Sequence, residues 1–105
     1  MLERLRVLIK AGRYRVTLHA EQERDADEVT IGEIETAYSD PASEIIEDYP
    51  DDPRGHSALV LAFTKAQQPL HAVWSIHENT AILITIYRPN PKLWRNWRKR
   101  KGSRA

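Results

Sequence analysis

Cysteine is absent from the 105 residues. This excludes disulfides and thiolate metal ligands, and with them the usual framework of a small secreted domain. Only four glycines occur, scattered at positions 12, 32, 55 and 102, so no glycine-rich phosphate loop or dinucleotide fingerprint can be built. No serine stands in a nucleophile elbow. No stretch approaches the roughly 20 apolar residues that a membrane helix needs. The opening MLERLRVLIKAGRYR carries an apolar run too short for a signal-peptide core, interrupted by Glu3 and Lys10. A cytoplasmic protein with no membrane partner is expected.

The length suits one domain, which should bury roughly two thirds of the surface its unfolded chain exposes. The net charge of +1 conceals a segregation. From Lys92 onward there are seven bases and no acid, while residues 1–91 hold nine bases against all 15 acids. An acidic body therefore carries a basic tail, a distribution that makes a polyanion partner possible.

Leu2, Leu5, Leu8 and Ile9 recur at helical spacing before Gly12, predicting a short helix. Residues 14–18 alternate and read as a strand, and residues 19–24 as one or two charged helical turns. Thr30 with Glu33 makes a capping box for a helix that carries Ile31, Ile34, Ala37 and Tyr38 and stops at Asp40-Pro41. Residues 43–49 read as a strand and residues 50–55 as a loop. Three apolar runs of strand length follow, ALVLAFT (58–64), LHAVWSI (70–76) and AILITIY (81–87), and read as a meander. The expectation is an α+β domain over residues 1–91. N-terminal helices would pack on a C-terminal antiparallel sheet of about four to five strands. The basic tail, residues 92–105, is expected to be partly helical, with Trp94 and Trp97 together at i, i+3 and the last few residues disordered.

None of the four histidines pairs with another at the spacing of a helical metal site. His71 and His77 share a face of one strand but lie roughly 20 Å apart along it. Neither a metal nor a cofactor is expected. Metal-free RNA cleavage needs a base for the ribose 2′-hydroxyl, an acid for the leaving oxygen, a cation or donor for the phosphorane, and a grip on the strand. Histidine suits the proton transfers and arginine the charge. His19 and His71 are the candidates for the first task. Thr85, Tyr87, Arg88 and Lys92 are candidates to hold or stabilise phosphate. Each has a plain structural alternative: His19 as a residue at the start of a helix, His71 as a satisfied core histidine, Thr85 and Tyr87 as packing residues.

Strand parity constrains the idea. A two-residue loop at Glu78-Asn79 sets His71 opposite Ile86 and turns Thr85 and Tyr87 to the other face. A three-residue loop, or a bulge, sets His71 opposite Tyr87 with Thr85 on the same face. The tail LWRNWRKRKGSR interleaves aromatics and bases, which suits stacking and phosphate contact through Trp94, Arg95, Trp97 and Arg98. Its alternatives are tryptophans packed on the sheet and bases that are solvated or lie over the acidic body. The acids from Glu21 to Glu35 read as a solvated helical surface, or as a site for a basic partner.

The order Leu18-His19-Ala20, Ile46 to Pro50 (IEDYP), Pro69-Leu70-His71 and Ile84 to Pro89 (ITIYRP) with Trp94 behind resembles a widespread bacterial family of unknown function. The likeness covers roughly residues 13–94. That family is distantly similar to RelE-like toxins and the wider barnase–EndoU–colicin–RelE ribonuclease superfold, which packs helices on an antiparallel sheet and cuts RNA on the sheet's open face. The resemblance implies a toxin of a toxin–antitoxin pair. It maps His19, His71, Thr85 and Tyr87 to active-site positions with Arg88 as support, and implies RNA and an antitoxin protein as partners. RelE-type toxins are strongly basic over the body; here only the tail could supply that attraction. Two rival expectations stand beside it: a non-catalytic module that binds RNA or protein through the tail, and a homodimer covering an apolar sheet face.

Overall fold

A computed structural model describes residues 1–102. The expectation of disorder at residues 103–105, and the base Arg104, lie outside the described residues. Three helices come first: α1 (Leu2–Lys10), α2 (Leu18–Ala26) and α3 (Ile31–Tyr38), with the short strand β1 (Tyr14–Val16) between the first two. Leu5, Leu8 and Ile9 bury one side of α1, as their spacing requires. Thr30 and Glu33 close the capping box at the start of α3 in both directions. Thr17 caps α2 by accepting a hydrogen bond from the Ala20 N–H.

The meander follows as β2 (Glu44–Tyr49), β3 (Ser57–Phe63), β4 (Pro69–His77) and β5 (Thr80–Tyr87). These four strands are antiparallel in sequence order. The fifth strand of the sheet is β1, which joins at the outer side of β5 and runs parallel to it, so the sheet is mixed, in the order β1-β5-β4-β3-β2. A parallel neighbour needs a crossover, and here the connection spans α2, α3 and the rest of the meander. The helices cover one face. On it Trp74, fully buried, meets Tyr38 edge-on at 5.5 Å and Tyr14 at 6.4 Å, and the Tyr38 hydroxyl donates to the Val60 carbonyl at 3.1 Å. No helix among the described residues is long and apolar enough to cross a membrane.

Among the described residues the tail is not helical. Trp94–Arg95 and Lys99–Arg100 form a two-stranded hairpin, β6 and β7, closed at its base by the Lys101 N–H on the Leu93 carbonyl at 2.8 Å. The i, i+3 tryptophans suggested a helix, but the turn places Asn96 and Trp97 at φ 54° and 61°, in the left-handed region.

Among the acids from Glu21 to Glu35, Asp25, Glu28 and Glu35 are exposed, as a solvated surface requires, whereas Glu23, Asp27 and Glu33 are half-buried and bond across the fold. Beyond Leu83 strand β5 has no strand on its outer side, and α2 supplies acceptors instead. The Glu23 carboxylate takes the Ile86 N–H at 3.1 Å and Asp27 takes the Arg88 N–H at 2.9 Å. Thr17 Oγ1 donates to the Ile84 carbonyl at 3.1 Å. Thr17 therefore serves two bonds, its helix cap and this latch. Thr17→Ala should cost about 2 kcal/mol and Thr30→Ala, which loses a cap alone, about 1 kcal/mol. Urea unfolding of the two variants measures this; equal losses would show that the latch contributes nothing.

Candidate functional site

The second face of the sheet, away from the helices, is set by two bulges. The turn at Glu78-Asn79 has two residues, both with positive φ, and pairs His77 with Thr80. That parity alone would oppose His71 to Ile86. The register shifts between Val73 and Trp74, however: Trp74 pairs with Leu83 and Val73 with Thr85, leaving Ile84 as the extra residue. The alternation flips there, and His71 faces Tyr87. A second bulge, at Ile46 in β2, brings Glu44 and Glu47 onto the same face although they stand three apart. Two rows result. Glu44, Leu61, His71 and Tyr87 form one, and Glu47, Leu59, Val73 and Thr85 the next.

His71 is 0 % exposed. Its Nε2 lies 2.7 Å from the Trp97 carbonyl and its Nδ1 3.1 Å from the Tyr87 hydroxyl. A carbonyl can only accept, so Nε2 carries the proton, and in the neutral ring Nδ1 then accepts from the phenol. The imidazole is thereby fixed as one neutral tautomer. Tyr87 lies edge-on to it at 5.3 Å and Trp94 at 4.4 Å with an interplanar angle of 89°. Burial lowers the His71 pKa, and burial raises that of Tyr87. At neutral pH the ring is uncharged and the phenol protonated.

Two ion pairs fasten the hairpin over this histidine. Arg98 grips Glu44 with Nε at 2.6 Å and Nη2 at 3.1 Å. Arg100 grips Glu47 at 2.8 and 3.0 Å and lies over the Trp94 ring, 4.7 Å from its centroid. The Tyr49 hydroxyl also donates to Glu47. The Arg100 bonds, with help from Tyr49, pull the Glu47 pKa below the ordinary carboxylate value. Burial, reinforced by Glu47, pushes the Tyr49 phenol up to about 12.

The remaining candidates are dispersed. His19 is exposed on α2, its ring 3.2 Å from Glu23, and among the described residues no hydrogen bond joins it to His71, Thr85 or Tyr87. Arg88 donates to the Asp27 and Glu28 carbonyls and to the Glu33 carboxylate, pinning the end of β5 to the α2–α3 connection. Trp94 is buried against His71, so its face is not open to a base. Trp97 is half-buried, while Lys92 and Arg95 are exposed. Among the described residues, Lys92, Arg95, Lys99 and Lys101 have no ion-pair partner, whereas Arg98 and Arg100 do. Two open grooves flank the hairpin. One of about 440 Å³ is lined by Tyr87, Leu93, Trp94, Arg100 and Lys101. The other, of about 430 Å³, is lined by Ile46, Glu47, Arg95, Arg98, Lys99, Arg100 and Gly102. Sequence reasoning missed Glu44, Glu47, Arg100 and Lys101. A regular two-residue period would put the two acids on opposite faces, and only the bulge at Ile46 aligns them. Among the described residues no three His, Asp or Glu side chains cluster as a metal site requires.

A family model described as domain of unknown function DUF4258 matches residues 16–88. The chain belongs to the DUF4258 family. No curated protein and no solved structure matches it. The DUF4258 segment contains His19, His71, Thr85, Tyr87 and Arg88 and ends before the tail hairpin that covers His71. The histidine–tyrosine pair thus belongs to the DUF4258 segment, while its cover is an addition from outside it.

The lowered pKa of His71 links stability to pH. The unfolded chain titrates this ring near 6.5 and the folded chain at a lower value. Between the two values the unfolded state binds more protons, so stability falls as pH drops below 6.5 and through the folded pKa. The lowered carboxylates Glu33 and Glu47 act further down, below 4.5. The urea midpoint should therefore fall between neutrality and about pH 5, and His71→Gln should remove most of that slope. An unchanged slope in the variant would place the titration elsewhere.

Proposed function

We propose that this DUF4258 protein is a cytoplasmic, metal-independent endoribonuclease, related to RelE-like toxins and the toxin of a toxin–antitoxin pair, working from the second face of its sheet. The observation that carries this reading is the His71–Tyr87 hydrogen bond, produced by a bulge and bordered by a basic, aromatic groove. An imidazole that is neutral at working pH is suited to act as a base, and a phenol kept protonated is suited to donate.

The reading requires Nε2 to be released from the Trp97 carbonyl. The ring proton then sits on Nδ1, donated to the Tyr87 oxygen, and Nε2 is free. Nε2 takes the proton of a ribose 2′-hydroxyl, and the 2′-oxygen attacks the adjacent phosphorus. As the bond to the 5′-oxygen breaks, Tyr87 gives that oxygen its proton and recovers one from Nδ1 of the imidazolium. The products are a 2′,3′-cyclic phosphate and a 5′-hydroxyl end, and His71 returns neutral. Lys101, which lines the groove beside Tyr87 and has no ion-pair partner among the described residues, stabilises the phosphorane charge in this scheme; Arg100 joins it only once released from Glu47, and Arg88 is held by Glu33. Thr85 sits in the neighbouring row as a donor to phosphate oxygen. His19 has no role in the scheme.

A second reading, RNA binding without cleavage, is favoured by the hairpin register. Arg95 stands directly opposite Lys99, a like-charge pair that destabilises a bare hairpin and that phosphate would relieve. One experiment separates the two. RNA incubated with the protein in a chelator should yield cyclic-phosphate ends. His71→Ala and Tyr87→Phe should each slow the reaction by about 100-fold or more. Undiminished cleavage by a folded Tyr87→Phe protein would end the proton-relay assignment. RNA retained without product, with an affinity falling steeply as salt rises, would establish the binding module in its place.

A further inference from the structure

The hairpin that buries His71 has the properties of a removable part. It contains two cross-strand residue pairs, Trp94 with Arg100 and Arg95 with Lys99, too few to be stable alone. One of those pairs sets like charges against each other. Its turn holds Trp97 at φ 61°, a conformation that bulky L-residues rarely adopt, and this residue's carbonyl occupies His71 Nε2 at 2.7 Å. Strain at the one backbone group that silences the imidazole points to a held state. The holding contacts are the two arginine–carboxylate forks to Glu44 and Glu47, both partly open to solvent. A guanidinium fork fits a phosphate as well as a carboxylate. The exposed Arg95 and Lys99 line the groove that contains both arginines.

We infer that the C-terminal hairpin is an inhibitory cover over His71, lifted by the backbone of a single-stranded nucleic acid. Successive phosphates compete with Glu44 and Glu47 for Arg98 and Arg100 and relieve the repulsion between Arg95 and Lys99. As the hairpin tilts away, the Trp97 carbonyl leaves Nε2 and the edge of Trp94 leaves the ring. The tryptophans become free to stack on bases, a role the closed arrangement denies Trp94. The tail is thus both the strand-binding element and the brake. What the uncovered histidine then does rests on the ribonuclease reading; the uncovering itself does not.

The test is carbethoxylation of the histidines of the intact protein by diethyl pyrocarbonate, mapped by mass spectrometry. The probe is a short oligodeoxyuridylate, which carries the phosphates but has no 2′-hydroxyl and is not cut. Without it, the exposed His19, His56 and His77 should react while His71 does not. At low salt with the oligonucleotide, His71 should become reactive at a rate approaching that of His77. The same exposure should appear without oligonucleotide in a Glu44→Gln/Glu47→Gln variant whose circular dichroism matches the parent. Failure of the oligonucleotide to bind, judged by fluorescence anisotropy, overturns the inference. So does binding that leaves His71 unreactive, and the wild-type arm decides even where the variant does not fold. Exposure of His71 in a protein that leaves RNA uncut would keep the cover and discard the ribonuclease reading.

Discussion

The His71 imidazole can be buried only because its two nitrogens meet complementary partners, a carbonyl that must accept and a phenol that can donate. A charged ring would turn the phenol from donor to acceptor and would place a charge beneath Trp94, which burial disfavours. The neutral ring satisfies both partners and ties three segments together: the middle of the sheet, its β5 edge and the tail. Either nitrogen left without a partner would lose that balance. The bulge at Ile84 supplies the first partner by turning Tyr87 to the same face, and the left-handed backbone at Trp97 supplies the second by aiming a carbonyl. Both are departures from regular geometry, and both converge on one side chain. Irregularities gathered in this way are what functional sites tend to show.

The separation of charge along the chain acquires a structural meaning from the same contacts. Glu23 and Asp27 close the open edge of β5, and Glu33 caps a helix and pins Arg88. Acids in β2 hold Arg98 and Arg100. The acidic body and basic tail are thus partners within one molecule. What remains for an outside polyanion, among the described residues, is a smaller set of bases: Lys92, Arg95, Lys99 and Lys101. Exposed ion pairs contribute little to stability individually, so the hairpin contacts are well placed to be exchanged for phosphate at small net cost.

Much of the fold was legible in the sequence because its signals are local. The Thr30–Glu33 box, the stripe of Leu5, Leu8 and Ile9, and the apolar runs of β3 to β5 need no tertiary information. The pairing of His71 with Tyr87 was legible only as one of two parities. The choice rests on a bulge, and Ile84 is an ordinary β-branched strand residue with nothing in its chemistry to mark it. The bulge at Ile46 hid the alignment of Glu44 with Glu47 for the same reason. In the tail, spacing misled: the Trp94 ring packs on His71 and Trp97, in the turn, offers its carbonyl to the same side chain, long-range contacts that override helical periodicity. Glu23 and Asp27 read as part of a solvated face because the edge they close lies more than sixty residues away in sequence. Membership of DUF4258 covers the sheet and the central pair and leaves the chemistry to be argued from the site.

The closed site depends on the protonation state of one ring. Nitrogen-15 chemical shifts of the His71 imidazole at neutral pH report it directly. A neutral ring protonated at Nε2, with Nδ1 at the shift of a hydrogen-bond acceptor, is the predicted result. A ring protonated at Nδ1 alone would contradict the account, because Nε2 could not then bond the Trp97 carbonyl; so would a charged ring, because burial keeps this imidazole neutral, or shifts averaged between tautomers as in free solvent.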